Sequence, residues 1–385
     1  MTEPVVVTSV GPPSRPPSVH DDTHGGKIRE AAASLGFTLD DMLDCSANVN
    51  FLGPTPAVLA AARQAVEEIS WYPLDPPDPL RRAAADFLGV PGERLLLGNG
   101  ASELIFLAVA HVRPRRVLIL GPTFTEYERA ARAWGAEVEV LWLPEEQEFR
   151  LTEAFLEVGG AAERIAAADM VFLCHPNNPT GAAVDRRALA WILDAADEAG
   201  VPVFVDESFL AFTLEWPGNS CLELGEHERL VVLHSFTKIL AMPGLRVGAL
   251  VVSPSMAAEL GPRVPPWNVN CVAQSAAVAA FAEADLLRRT PAAVAAARAD
   301  LAERLQELSG VEHVLPGAAN FLCVRLGGPV AGAIVTRLRA DHGVLVRDLS
   351  SFPGMGPRYL RTAVRSPEEN SRLVAALAAV LGSWS

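Results

Sequence analysis

Several features that define whole classes of protein are missing from this chain. No stretch of eighteen or more apolar residues occurs, so a membrane-spanning helix and a membrane partner are not expected. Basic residues are outnumbered: Asp and Glu total 46 against 32 Lys and Arg, the net charge is −14 and the pI is near 5.1, a balance that speaks against nucleic acid as a partner. Five cysteines, at 45, 174, 221, 271 and 323, are odd in number and widely scattered, which fits reduced thiols in a cytoplasmic protein rather than a disulfide framework. None forms a Cys-x-x-Cys pair with histidine partners, so no metal is expected. Residues 1–22 lack the basic start and apolar core of a signal peptide, and with Pro12, Pro13, Pro16 and Pro17 among polar residues they read as a flexible tail. No internal repeat or low-complexity tract is evident.

What remains is a chain of 385 residues, half of them hydrophobic, long enough for two domains or for one large domain with a smaller partner. Because the overall charge repels anions, an anionic ligand must be captured by locally placed cations, which directs attention to the arginines near the C-terminus. Short apolar runs recur at 116–120, 169–173, 201–205, 230–233 and 246–252, separated by helical patterns such as 185–199. That alternation predicts an α/β fold with a mostly parallel central sheet flanked by helices on both faces. A helix is expected after Gly25 and another after Pro56, with an irregular proline-dense loop over 71–79. A long helix over 291–308 leads into a C-terminal unit with strands at 320–326, 344–347 and 359–363 and helices at 331–341 and from Pro367.

Ligands bind open sheets of this kind beyond the carboxyl ends of the strands. Here those ends carry Pro122-Thr123-Phe124, the run from Asn177 to Gly181, Asp206-Glu207 and Ser235 to Lys238, so four segments are expected to converge on one crevice. Lys238 brings an amine, its neighbours Ser235 and Thr237 bring hydroxyls, and Arg246 brings a guanidinium. Together they suit an aldehyde-bearing, phosphorylated cofactor. If that cofactor has a pyridine ring, Asp206 can face the ring nitrogen, Asn178 can donate to the ring oxygen and Phe124 can lie flat on the ring. The glycine-rich turn from Gly98 to Glu103 precedes a helical pattern, so its backbone N–H groups at a helix start suit a phosphate, completed by Ser235, Thr237 and Arg246. Singly, each residue has an ordinary role: a helix cap for Asp206, a turn for Asn178, core packing for Phe124. Their order and spacing favour the cofactor.

In this order the segments resemble the fold-type I pyridoxal-phosphate enzymes, the aspartate aminotransferase superfamily, over nearly the whole chain after the tail. The likeness is greatest to the L-threonine-O-3-phosphate decarboxylases of cobalamin biosynthesis, with the histidinol-phosphate aminotransferases next. It is carried by His24-Gly25-Gly26, the run from Ser46 to Pro54, the run from Gly98 to Phe106, Ser235-Phe236-Thr237-Lys238 with Pro243-Gly244-Leu245-Arg246, and Arg347-Asp348 through Phe352-Pro353-Gly354 to Arg361-Thr362-Ala363-Val364-Arg365. The first and last are the more discriminating.

The resemblance implies pyridoxal 5'-phosphate as cofactor, with Lys238 as the catalytic lysine that bonds it. It implies Asp206, Asn178, Phe124, Ala101, Ser102, Ser235, Thr237 and Arg246 as the cofactor's other contacts. Tyr72 matches a tyrosine that crosses to the partner's cofactor phosphate, which implies a homodimer with shared active sites. His24, Gly25, Asn48, Asn178, Arg347 and Arg361 match residues that hold a small anionic amino-acid substrate. The layout it implies is an N-terminal segment over 23–65 packing with the small domain, a large cofactor-binding domain over 66–285 and a small α/β domain over 286–385. The implied reaction is decarboxylation of O-phospho-L-threonine, with transamination of the histidinol-phosphate type, or a β- or γ-replacement in specialised metabolism, as the alternatives. Departures from the pattern are Phe209, where most aminotransferases of the superfamily carry a tyrosine that hydrogen-bonds the ring oxygen, Leu74 and Pro77 in place of an acidic residue and a second tyrosine, and Lys27 at the mouth.

Overall fold

The computed structural model describes residues 25–158, 160–328 and 330–383, so the tail expected over 1–22 and the site residue His24 lie outside the described residues. After the two-residue strand β1 (Leu43–Asp44), a seven-stranded sheet is built from β2 (Leu95–Gly98), β3 (Arg116–Gly121), β4 (Glu137–Trp142), β5 (Met170–Cys174), β6 (Val203–Asp206), β7 (Leu230–His234) and β8 (Gly248–Val251). Their spatial order is β2-β8-β7-β6-β5-β3-β4. Neighbours from β4 to β7 pair in parallel, and β8 runs antiparallel to both β7 and β2. The central sheet is thus mostly parallel, with one strand reversed.

Period-two alternation explains why β5, β6 and β7 read as continuous apolar runs: both faces are covered. Val171, Leu173, Val203, Val205, Leu230 and Val232 pack into one core with Leu189, Ile192 and Phe212. Phe172, Phe204, Val231 and Leu233 pack on the other face with Leu104, Ile105 and Tyr127. Two strands absent from the apolar-run reading, β2 and β4, form the sheet's edges. In β4 the sequence Glu137-Val138-Glu139-Val140 alternates because one face is wet, so no unbroken apolar run marks it.

The C-terminal part carries β9 (Val311–Val314), β10 (Phe321–Leu326), β11 (Val344–Leu345), β12 (Arg347–Asp348) and β13 (Tyr359–Ala363). A four-stranded antiparallel sheet has the order β12-β13-β10-β9, while β1 pairs in parallel with β11. Leu43 and Cys45 share a core with Leu301, Leu305, Leu322, Val324, Leu338 and Leu377 of the C-terminal part, whereas Val58, on the next helix Pro56–Ala65, belongs to the core of the large sheet with Leu97, Val251 and Ala273. The helix expected over 291–308 spans Ala284–Gln306 instead, with Pro291 inside it. Ala284, Leu286, Leu287, Arg288 and Arg289 are good helix formers, and Thr290 Oγ1 donates back to the Leu286 carbonyl at 2.8 Å in the turn before Pro291, which supplies no N–H to the Leu287 carbonyl.

Local signals set the ends of other helices. Asp185 accepts from the N–H groups of Arg187 and Ala188 at the start of Arg186–Ala199, and left-handed Gly200 ends it. Ser366 and Glu369 form a reciprocal capping box at the start of Pro367–Gly382. Among the described residues no helix is long and apolar enough to cross a membrane.

Candidate active site

The ends of β5, β6 and β7 lie level, with Cys174 opposite Asp206 and Asp206 opposite Leu233. Register therefore delivers Asn178, Asp206 and the turn after His234 to one edge, and Lys238 stands in the short helix Phe236–Ile239 that leaves β7. Asn50 clamps that turn from a distant part of the chain: its N–H donates to the Lys238 carbonyl at 3.1 Å and its side-chain amide to the Ile239 carbonyl at 2.9 Å. Burial, helped by the Arg246 and Arg361 cations, pushes the half-buried Lys238 amine down to about 8, against the opposing pull of Asp206. A lysine in that state supplies a neutral, nucleophilic amine close to physiological pH.

Asp206 is 5% exposed and follows the Phe204 face of the sheet. Tyr127 Oη donates to Asp206 Oδ2 at 2.7 Å, and the Ser208 N–H donates to Oδ1 at 2.9 Å. Burial lifts the Asp206 carboxyl above its ordinary range, while Ser208, Tyr127 and the Lys238 ammonium pull it back. Both hydrogen-bond donors on it are neutral, so the buried carboxylate suits a cationic N–H as a further partner. Phe124 meets the Tyr127 ring edge-on at 5.6 Å, and Tyr127 stacks on Phe172 at 5.1 Å. One short segment thus fixes both the Phe124 ring and the Asp206 carboxylate.

The segments expected to form a phosphate cup are contiguous. The helix Ala101–Val112 begins after Gly100 without a side-chain cap, leaving its first N–H groups available. Gly100 has φ +82°, and a Cβ there would lie 2.4 Å from Arg246 Nη2, so the guanidinium rests directly against this turn. Gly248 joins the other side, since a Cβ on it would lie 3.0 Å from the His234 carbonyl oxygen and 3.2 Å from the Ala101 nitrogen. The Ser235 and Thr237 hydroxyls are 2.8 Å apart, and Ser208 Oγ accepts from the Ser235 N–H at 3.1 Å. A cavity of about 460 Å³ adjoins Ser102 and Phe124.

The residues expected to hold substrate sit on different elements. Arg347 and Arg361 are register partners on β12 and β13, 4% and 6% exposed. Arg361 Nη1 donates to Asn178 Oδ1 and Nη2 to the Ser46 carbonyl at 2.9 Å, whereas Nε has no partner. Burial and the adjacent Arg347 push Arg361 down to about 9. Phe321 lies under Arg361 at 5.3 Å and Phe352 under Arg347 at 5.4 Å, while Phe209 packs edge-on against Phe321 at 5.0 Å. Asn48 is buried with Oδ1 unpartnered. Gly25 abuts Ser46 so closely that a Cβ would lie 2.2 Å from its carbonyl oxygen. Because Arg361 holds Oδ1 of Asn178, the amide's NH₂ end is the one left to face a ligand.

Tyr72 is not brought to this group within one chain. It is 78% exposed and stacks on Trp267 at 4.4 Å. Four contributors escaped the sequence reading: Tyr127, Ser208, Asn50 as the clamp on the lysine turn, and Ser46 as an acceptor for Arg361. Lys27 and Lys238 are the chain's two lysines, a scarcity that would have singled out Lys238 sooner.

The donor set suits pyridoxal 5'-phosphate: an amine for its aldehyde, a buried carboxylate for its ring nitrogen, an aromatic ring for its face, and helix N–H groups with hydroxyls and a guanidinium for its phosphate. The Aminotransferase class I and II family model matches residues 40–377. A threonine-phosphate decarboxylase of Salmonella typhimurium is 35% identical over 365 residues, 94% of this chain and 98% of that protein. A histidinol-phosphate aminotransferase of Symbiobacterium thermophilum is 34% identical over 93% of this chain and 95% of its own length. The crystal structure of the histidinol-phosphate aminotransferase from Clostridium acetobutylicum superposes with a TM-score of 0.80 at 26% identity, covering 89% of this chain and all of that one. With this fold, these matches and a site whose parts fit the cofactor, the chain belongs to the class I and II aminotransferase family and is a pyridoxal 5'-phosphate-dependent enzyme.

Proposed function

We propose that this enzyme decarboxylates O-phospho-L-threonine, or a closely related phosphorylated amino acid, to (R)-1-aminopropan-2-yl phosphate in a cobalamin-type pathway. The observation that carries the reading is Arg361: a buried guanidinium beside a second one, bonded to neutral oxygens only and with Nε free, which asks for an anion. Two arginines match a substrate with two anionic ends, each planar fork gripping one of them. The Salmonella typhimurium relative, a threonine-phosphate decarboxylase by name, supports the substrate class.

When bound, the cofactor supplies an electron sink for the α-carbon. Asp206 keeps a proton on the nitrogen opposite it, with Tyr127 and Ser208 holding that carboxylate in place. The arginines choose which group leaves the α-carbon. A substrate gripped by its side-chain phosphate keeps its carboxylate free to depart as carbon dioxide, and one gripped by its carboxylate exposes its α-proton to Lys238 Nζ. In the first case Lys238 delivers a proton to the α-carbon, a task suited to an amine titrating at about 8. Phe209 brings no hydroxyl, and its ring instead supports Phe321 beneath Arg361.

We further propose a homodimer with shared sites, in which Tyr72 reaches the partner's cofactor phosphate. Support comes from an exposed apolar surface at Ile69, Trp71, Tyr72 and Leu74, of a kind that marks protein contacts. The Symbiobacterium thermophilum relative favours a second reading, transamination. Incubating the holoenzyme with O-phospho-L-threonine and no oxo-acid acceptor separates the two. Sustained carbon dioxide release, absent in Lys238→Ala, is the expected result; turnover only when an acceptor is added would establish transamination instead.

A further inference from the structure

A second buried carboxylate stands beside the cofactor-facing one and takes no part in the scheme above. Glu207 follows Asp206 directly and continues the alternation of β6, so it points to the opposite side of the strand end. It is 1% exposed. Ser220 Oγ donates to Glu207 Oε2 at 2.7 Å and the Cys221 N–H donates to Oε1 at 2.7 Å. Its own N–H donates to the Leu233 carbonyl at 2.9 Å, which seats it next to His234. His234 Nε2 lies 3.9 Å from Oε2 and has no hydrogen-bond partner.

The loop that supplies the two donors is held from three further directions. His175 Nε2 bonds the Asn219 carbonyl at 3.1 Å, Arg186 Nη1 donates to the Gly218 carbonyl at 2.7 Å, and Trp216 packs edge-on against His234 at 5.9 Å. A carboxylate buried without a bonded cation is a costly way to anchor a loop, since a neutral amide can accept from the Cys221 N–H with its oxygen while its NH₂ donates to a turned Ser220 hydroxyl. The charge itself therefore needs a role.

We propose that Glu207 is a positioning residue for Asp206: it pins the 215–221 loop behind the Asp206–Ser208 turn and sets a second, titratable negative charge behind the carboxylate that faces the cofactor. This rests on the assignment of Asp206 to the ring nitrogen. The groups facing Glu207 are Asp206 from β6, His234 from the end of β7, and Ser220 and Cys221 at the end of the loop, while Arg186 from the helix Arg186–Ala199 bonds the Gly218 and Glu223 carbonyls. Burial pushes His234 down to about 3 and the Cys221 thiol well up, so both are neutral. Burial pushes Glu207 up to about 7, with Asp206 adding to the rise and Cys221 and Ser220 opposing it. Within this cluster Glu207 is the group whose charge changes around neutrality. Once ionised, it favours retention of protons on the cofactor side of Asp206.

The test is a pH titration of the visible absorption band of the cofactor-loaded enzyme, wild type against Glu207→Gln, a variant that keeps length and an acceptor oxygen while losing the charge. The band's midpoint is expected to fall by about half a pH unit or more in the variant, at unchanged cofactor content. A midpoint within about 0.1 unit of wild type overturns the inference. If the variant does not fold, infrared difference spectra of the wild-type holoenzyme decide: a protonated carboxyl that ionises around neutral pH supports the proposal, and none titrating there overturns it. A colourless wild type would defeat the reading of Asp206 itself, whereas a coloured wild type with an unmoved variant defeats this inference alone.

Discussion

The proposed cofactor end and the proposed substrate end of this site are built on different principles. At the cofactor end, Asp206, Ser208, Ser235, Thr237 and Lys238 leave neighbouring strands of one sheet, and their polar groups bond one another. At the substrate end, Arg361 is fixed by Asn178 and Ser46, 183 and 315 residues away, and polar atoms of Arg361 and Asn48 stay unpartnered in the interior. The first is a network whose polar groups are largely satisfied by one another. The second is an under-satisfied polar cluster assembled between the two sheets. On the proposed assignment, the cofactor residues are placed by one sheet, and the substrate residues are placed where segments from three parts of the chain must agree.

The contrast can be broken most sharply at Arg361. Replacing it with lysine keeps the charge and loses the planar fork, so kcat/KM for the phosphorylated amino acid should fall about a hundredfold, ~3 kcal/mol, while the cofactor's visible spectrum stays unchanged. Loss of the cofactor band in that variant would show that the two ends are not separable. A milder wound is Gly25→Ala, whose Cβ would collide with the Ser46 carbonyl that accepts from Arg361. The shift it forces, ~1–2 kcal/mol, should raise KM about tenfold with little change in kcat, read by steady-state kinetics. An unaltered KM would mean the Gly25 approach does not govern Arg361.

The smallest effect crosses between the ends. Because the Lys238 pKa is depressed to about 8, its neutral amine is the major form above that pH and is lost as the pH falls through it. The rate at which the cofactor-free enzyme captures pyridoxal 5'-phosphate should therefore rise with pH, with a midpoint near 8 rather than in the range of an ordinary lysine. Since Arg361 is one of the cations lowering Lys238, Arg361→Gln should move that midpoint up by about half a unit. No movement would leave burial and Arg246 as the sole causes.

Legibility in the sequence followed the same division. Strands β5, β6 and β7 are visible because a strand covered on both faces must be apolar throughout, and Asn178, Asp206 and Lys238 stand out as the polar residues where such runs stop. The edge strand β4 hides because water on one face interrupts its apolar pattern with Glu137 and Glu139. Tyr127 looks like any aromatic on a helix, and nothing within its own segment points to Asp206, 79 residues on. Ser46 contributes its backbone carbonyl, which no residue type announces.

By itself, then, the sequence determined the alternation of elements, the strand-end positions of Asn178, Asp206 and Lys238 and, through the order of its motifs, the family likeness, because these depend on periodicity and neighbours a few residues apart. Tertiary structure alone decided that β8 runs against its neighbours, that the residues around Leu43 pack with a sheet some 300 positions later, and that Arg347 and Arg361 sit side by side out of water. Those outcomes depend on which distant surfaces can be buried together and which charges must then share a low-dielectric interior, quantities that no local stretch of chain contains.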